Sequence, residues 1–253
     1  MRIIFADLDG TILDQDNYSR EKSSEGISII KKTGIPLILA SAKTRSEMIL
    51  VSGELDINFP FIFENGSGID FRGSRLMLSP HLERLKEALS LLTADGLNIK
   101  PVTEMSLNEV MFHTGLSEEN ARMARMREGS LPFIIEKENI SVKDRAERLN
   151  FLLEGSGFKV VKGTRFYHLI SDKVDKAAAM KEVVSFYEKM APEEKIFSAA
   201  IGDGENDIPM LQSADTAFFV GPEPLSGGLP EGILFTEKKG PEGFTEAVKR
   251  IIG

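Results

Sequence analysis

Short continuous apolar runs alternate along the chain with stretches whose apolar residues recur at helical spacing. Residues 2–6 (RIIFA) read as a buried strand, 20–33 as a helix closed by Gly34, and 35–40 (IPLILA) as a second buried strand. Thr44 and Glu47 have the spacing of a capping box ahead of Met48, Val51 and Leu55, which predicts another helix. Residues 60–66 (PFIFENG) read as a third strand ending in a turn. The same grammar returns late in the chain: a helix over 174–190, a strand within KIFSAAIGDG, and short strands at 216–220 and 232–235. Strands alternating with helices imply crossover connections and a parallel sheet.

The middle of the chain breaks this rhythm. Its apolar runs are weaker, Ser117 and Ser141 are placed as helix N-caps, and 158–170 read as a hairpin across a Lys-Gly-Thr-Arg turn. The expected architecture is α/β: a Rossmann-like, mostly parallel sheet core formed by residues 1–81 and 172–253, with an α+β module inserted at 82–171.

Composition narrows the chemistry. The 253 residues are 42% hydrophobic and carry a net charge of −8, which suits a soluble globular protein and argues against a general nucleic-acid binder. Cysteine is absent and the three histidines (His81, His113, His168) lie far apart, so any bound metal would need oxygen ligands. No apolar run reaches the length of a membrane helix and no signal-peptide pattern opens the chain, so a cytoplasmic protein is expected, a monomer or homodimer.

Against this background two strand ends stand out. Asp7 and Asp9 close the first apolar run, and residues two apart on a strand point to the same side. Two anions so close repel unless a cation sits between them, and Mg²⁺ is the natural one. A solvated turn would explain this pair taken alone. The run AAIGDGENDIPML ends in the same way, at Asp203, with Asn206 and Asp207 following. If the two strands are neighbours, Asp7, Asp9, Asp203 and Asp207 gather at the carboxyl edge of the sheet, where open α/β folds bind ligands. Ser41 follows a buried strand, with Lys43 and Arg45 around the start of the next helix, an arrangement suited to an anion. Lys176 lies in the first turn of the helix preceding the Asp203 strand, where a cation opposes the helix dipole and needs solvent or an anionic partner.

DLDGT (7–11), Ser41, Lys176 in VDKAAAM and GDGEND (202–207), in that order, resemble the four motifs of the haloacid dehalogenase superfamily of phosphohydrolases. The insertion resembles the α/β cap of members that act on small phosphorylated sugars and polyols. The resemblance implies that Asp7 is the nucleophile and Asp9 the general acid/base, and that Ser41 and Lys176 hold the transferring phosphoryl group. It also implies that Asp7, the Asp9 backbone carbonyl and Asp203 bind Mg²⁺, with Asp207 behind.

SAKTR (41–45), PFIFENGSGI (60–69), GTRFYHL (163–169) and DKAAAM (175–180) are further similar to the mannosyl-3-phosphoglycerate phosphatases, which form the compatible solute mannosylglycerate. Thr164, Ala177 and Leu131 depart from that family's pattern, Leu131 standing where an acidic residue is expected. The implied substrate is a small phosphorylated sugar-glycerate. Arg165 is the candidate clamp for a carboxylate, with His168 as a neighbouring polar contact. Lys43, Arg45, Glu64, Asn65 and Asn206 complete the expected substrate contacts. The alternatives are a phosphatase for another sugar phosphate (glucosyl-3-phosphoglycerate, sucrose phosphate or a broad range), a sugar phosphomutase, or a non-catalytic phosphosugar binder on the same scaffold.

Overall fold

The computed structural model describes residues 1–136, 142–163, 165–221 and 228–253. Ser141, expected as a helix cap, and Thr164 in the expected hairpin turn lie outside them.

Strands β1 (Arg2–Ala6), β2 (Leu37–Ala40), β3 (Phe61–Phe63), β4 (Gly68–Asp70) and β5 (Arg75–Met77) belong to the first sheet. β6 (Ile99–Pro101), β7 (Leu131–Ile135), β8 (Phe158–Lys162) and β9 (Tyr167–Ser171) form a second. β10 (Phe197–Gly202), β11 (Thr216–Phe219) and β12 (Ile233–Phe235) return to the first. Between them run α1 (Ser24–Thr33), α2 (Arg45–Glu54), α3 (Leu82–Ala94), α4 (Leu107–Thr114), α5 (Glu118–Ala124), α6 (Val142–Leu152), α7 (Lys176–Met190), α8 (Ile208–Ser213) and α9 (Gly240–Ile252).

The first sheet has the order β12-β11-β10-β1-β2-β3-β4-β5, parallel from β12 through β3 and antiparallel for β4 and β5. The expected mostly parallel α/β sheet is therefore present. The β4–β5 hairpin was not legible, because its strands are short and β5 is largely exposed, so no alternation marks it. Both faces of the central strands are covered, which explains why their sequences run apolar without a break. Ile4 and Ala6 pack with Ile27, Phe244 and Val248 of α1 and α9, while Ile3 and Phe5 pack with Ala179, Met180 and Val183 of α7 and Met210 of α8. Each large apolar side chain buried in this way contributes roughly 1.5–3 kcal/mol.

Helix ends follow the sequence signals. Thr44 and Glu47 form the predicted capping box of α2, Ser117 caps α5, Gly34 closes α1 at φ 70°, and Pro209 sits in the first turn of α8.

The second sheet has the order β6-β7-β9-β8 and is antiparallel throughout. The 158–170 hairpin appears in it as β8 and β9. Leu131, Phe133, Val160 and Leu169 on one face bury against Leu85, Leu89 and Leu92 of α3 and Leu149 of α6. Leu131 thus belongs to this apolar cluster, so its departure from the family pattern bears on packing rather than on a binding surface. None of the described helices is long and apolar enough to cross a membrane.

Candidate active site

Topology decides what the carboxylates can do. β1 pairs with β10 on one side and β2 on the other, so the residues following these three strands emerge side by side at one sheet edge. Asp7 and Asp9 follow β1, Ser41 follows β2, and Asp203 follows β10. The register places Ala6 opposite Ile201, and the amide of Asp7 donates to the Ile201 carbonyl at 3.0 Å. Gly10 completes the turn at φ 90°, where a Cβ would collide with the Asp203 carboxylate. Thr11 Oγ1 donates to Asp203 Oδ1 at 2.8 Å and ties the two strand ends together.

Lys176 opens α7 and is fully buried among these acids. Its Nζ donates to Asp7 Oδ1 and, at 2.6 Å, to Asp207 Oδ1. Asp207 Oδ2 accepts the amides of Asp203 and Gly204 at 3.1 and 2.9 Å, so this carboxylate braces both the lysine and the loop. Of the two partners the sequence left open for Lys176, solvent or an anion, the fold supplies two anions and no solvent. Asp7, Asp203 and Asp207 each present a carboxylate oxygen within 4.8 Å of the others.

The electrostatics show a shortage of positive charge. Burial raises the Asp7 carboxyl well above its ordinary range, Lys176 opposes this, and Asp207, Asp203 and Asp9 reinforce it. Burial, Asp207 and Asp9 push Asp203 up to about 7, against Thr11 and Lys176. For Lys176, burial works against the ammonium, but Asp207 and Asp7 outweigh it and hold its pKa above the ordinary lysine value. Three carboxylates share one ammonium. An all-oxygen donor set lacking cation charge fits a hard divalent ion.

A cleft opens between this edge and the second sheet. Asp7, Asp9, Ser41, Lys43, Asp203 and Asn206 line its floor, and Thr114, Arg127, Arg165, Phe166 and His168 line its roof. Ser41 is buried, and its Oγ accepts the Lys43 amide at 3.2 Å. Lys43 Nζ lies 2.8 Å from Asp9 Oδ1. Burial acts against the Lys43 ammonium, yet Asp9 and Glu47 overcome it and raise its pKa. His168 is buried on the strand face opposite Leu169. Burial, Arg127 and Lys176 push its pKa down to about 3, so the ring is neutral and its Nδ1 lacks a protein partner. β9 begins only at Tyr167, so Arg165 precedes the strand while His168 lies within it, and both line the cleft.

Three expected substrate contacts lie elsewhere. Glu64 does not face the cleft: it is fully buried, and its carboxylate accepts the amides of Glu128, Gly129 and Ser130 and the Ser130 hydroxyl. These bonds saturate it and fasten the second module to the first sheet. Arg45 turns outward, its Nε 2.7 Å from Asp70 Oδ2, on a separate surface depression. Asn65, left-handed at φ 56°, accepts from Asn206 Nδ2 at 3.2 Å behind the cleft. Sequence reasoning missed Tyr18 and Arg127. Arg127 Nη1 donates to the Ala42 carbonyl at 2.8 Å across the cleft. Tyr18 stands alone as an aromatic in a polar stretch, which was the one available signal.

The sequence profile of the haloacid dehalogenase-like hydrolases matches residues 4–222. The chain belongs to this family. Among curated relatives of this hydrolase, a glucosyl-3-phosphoglycerate/mannosyl-3-phosphoglycerate phosphatase of Persephonella marina is 34% identical over 99% of this chain and 97% of its own. A protein of the same name from Methanococcoides burtonii is 29% identical over the same shares. Solved structures share the fold over nearly full length. A Thermoplasma acidophilum protein superposes with a TM-score of 0.72 at 20% identity, covering 99% of this chain and 97% of that one. The sucrose-phosphatase of Synechocystis, solved with sucrose and phosphate, superposes at 0.68 with 14% identity, covering 99% and 98%.

Proposed function

We propose that this phosphatase hydrolyses the phosphomonoester of a phosphorylated sugar-glycerate, with mannosyl-3-phosphoglycerate and glucosyl-3-phosphoglycerate as its substrates. The observation that carries the reading is the convergence of Asp7, Asp203 and Asp207 around Lys176, at one sheet edge facing a roofed cleft. The near full-length kinship with phosphatases of that name supports the substrate class.

Asp7 attacks phosphorus in line, and the bond to the sugar-glycerate oxygen breaks as an aspartyl phosphate forms. Lys176 and the Ser41 hydroxyl hold the equatorial phosphoryl oxygens. Asp9 gives its proton to the departing hydroxyl, then takes one from the water that releases inorganic phosphate. Lys43, paired with Asp9, keeps that carboxylate beside the reacting oxygen. Asp7, Asp203 and the Asp9 backbone carbonyl would hold Mg²⁺, with Asp207 supporting them from behind. The ion would supply the positive charge that three carboxylates and one ammonium lack. The Asp9 side chain itself is engaged with Lys43. The module carrying the second sheet acts as a cap, with Arg127 and Arg165 as cations for the glycerate carboxylate and His168 as a neutral hydrogen-bond partner for a sugar hydroxyl.

The test is phosphate release across a panel of phosphorylated sugars and glycerates, with and without Mg²⁺. Fastest release from the two glycosylated phosphoglycerates, abolished by chelation, is expected. Preference for a substrate without a glycerate carboxylate would overturn the substrate assignment. Accumulation of an isomerised sugar phosphate would show a mutase.

A further inference from the structure

Tyr18 lies on a polar loop of the first sheet's module, yet its side chain reaches the cap. The loop fixes itself: the Tyr18 amide donates to the Asp14 carbonyl at 2.9 Å, and Asp14 Oδ1 accepts the amides of Asp16 and Asn17. Tyr18 is held at φ 59°, a conformation that a bulky residue adopts only when its surroundings impose it. Its hydroxyl donates to the Thr114 carbonyl at the end of α4, 3.2 Å away, and accepts from Arg165 Nη1 at 2.6 Å. Arg165 Nη2 also donates to the Gln15 carbonyl at 3.4 Å. Two cations lie near the ring, Lys43 Nζ 5.0 Å and the Arg165 guanidinium carbon 5.4 Å from its centre. Lys43 in turn is on Asp9.

We propose that Tyr18 is a positioning residue that ties the seating of the cap to the alignment of Asp9: the cap clasps its hydroxyl, and its ring carries Lys43 against that carboxylate. This rests on the phosphatase reading and on Asp9 as its acid/base. The two ends of the side chain have separable duties. Losing the hydroxyl releases the cap's grip at Thr114 and Arg165 while the platform under Lys43 stays; losing the ring removes both. A substrate that the cap must grip will feel either change, whereas a small aryl phosphate with no sugar will feel only the second.

The experiment compares Tyr18→Phe and Tyr18→Ala with the wild-type chain on p-nitrophenyl phosphate and on mannosyl-3-phosphoglycerate, with thermal melts alongside. Tyr18→Phe is expected to keep kcat on the aryl phosphate within about twofold and to lower kcat/KM on the sugar substrate about tenfold, the value of one lost bond to a charged partner. Tyr18→Ala is expected to lower kcat on both by about a hundredfold, as misplacement of a catalytic group does. A purely structural tyrosine would move both substrates together. Tyr18→Phe matching wild type on both substrates, or lowering both equally, overturns the proposal, and this variant keeps the test open should Tyr18→Ala fail to fold. Wild-type chain that releases phosphate from neither substrate would instead bring down the phosphatase reading beneath it.

Discussion

Lys176 Nζ sits between Asp7 and Asp207, 2.6 Å from Asp207 Oδ1, with no part of its side chain exposed to solvent. A lysine so placed is tolerated only because carboxylates on two sides offset its desolvation. Lys176→Met should therefore destabilise the metal-free protein by about 3–5 kcal/mol, the range for breaking a buried ion pair. It should also reduce turnover by more than about a hundredfold. Denaturant unfolding in chelator and steady-state phosphate release check the two halves; a fully stable variant would show that this ammonium does not hold the two carboxylates together.

Asp7→Asn keeps the shape of the side chain and removes the attacking anion. Turnover should fall at least about a thousandfold, while the circular dichroism spectrum stays close to wild type. Retention of substantial phosphate release would remove Asp7 from the nucleophile's role.

Metal and pH should act together on stability. Asp203 titrates near pH 7 in the metal-free fold, above the ordinary carboxylate value, so the folded state binds its proton more tightly than the unfolded chain does. Stability from this group is fully present below about pH 4 and is lost as pH rises through about 7. Asp7, raised in the same direction, adds to the trend. A divalent cation relieves the repulsion that appears once these groups ionise. Magnesium should therefore raise Tm more at about pH 8 than at about pH 5, and chelation should reverse it. Calorimetry at the two pH values decides; an equal or larger shift at the lower pH would contradict the assignment of these acids to a metal site.

His168 stays neutral across the working range, because burial and the nearby Arg127 and Lys176 hold its pKa near 3. His168→Ala should raise KM for the sugar substrate about tenfold with a smaller change in kcat. The pH profile between about 5 and about 8 should keep its shape, since no imidazolium is lost. A limb of the profile that disappears with His168 would show that the ring titrates during turnover.

Much of this arrangement is legible in the sequence. Asp7 and Asp203 announce themselves because each ends a continuous apolar run, and a run buried on both faces can only expose its end. The capping box of Thr44 and Glu47 and the Gly34 terminus are local, so sequence spacing carries them. What could not be read depends on partners far along the chain. The Glu64 carboxylate is consumed by amides at 128–130, and Arg45 finds Asp70; neither pairing leaves a periodic trace. Tyr18 is a similar case, since its partners Thr114 and Arg165 belong to the inserted module.

The most direct measurement is a crystal structure of the protein with magnesium and beryllium trifluoride, which mimics a phosphorylated aspartate. Beryllium should be bonded to a carboxylate oxygen of Asp7, with fluorides within reach of Lys176 and Ser41 and one magnesium ion shared by Asp7 and Asp203. A mimic attached elsewhere, or an ion that Asp7 and Asp203 do not share, would remove Asp7 from the nucleophile's role and Asp203 from the metal site.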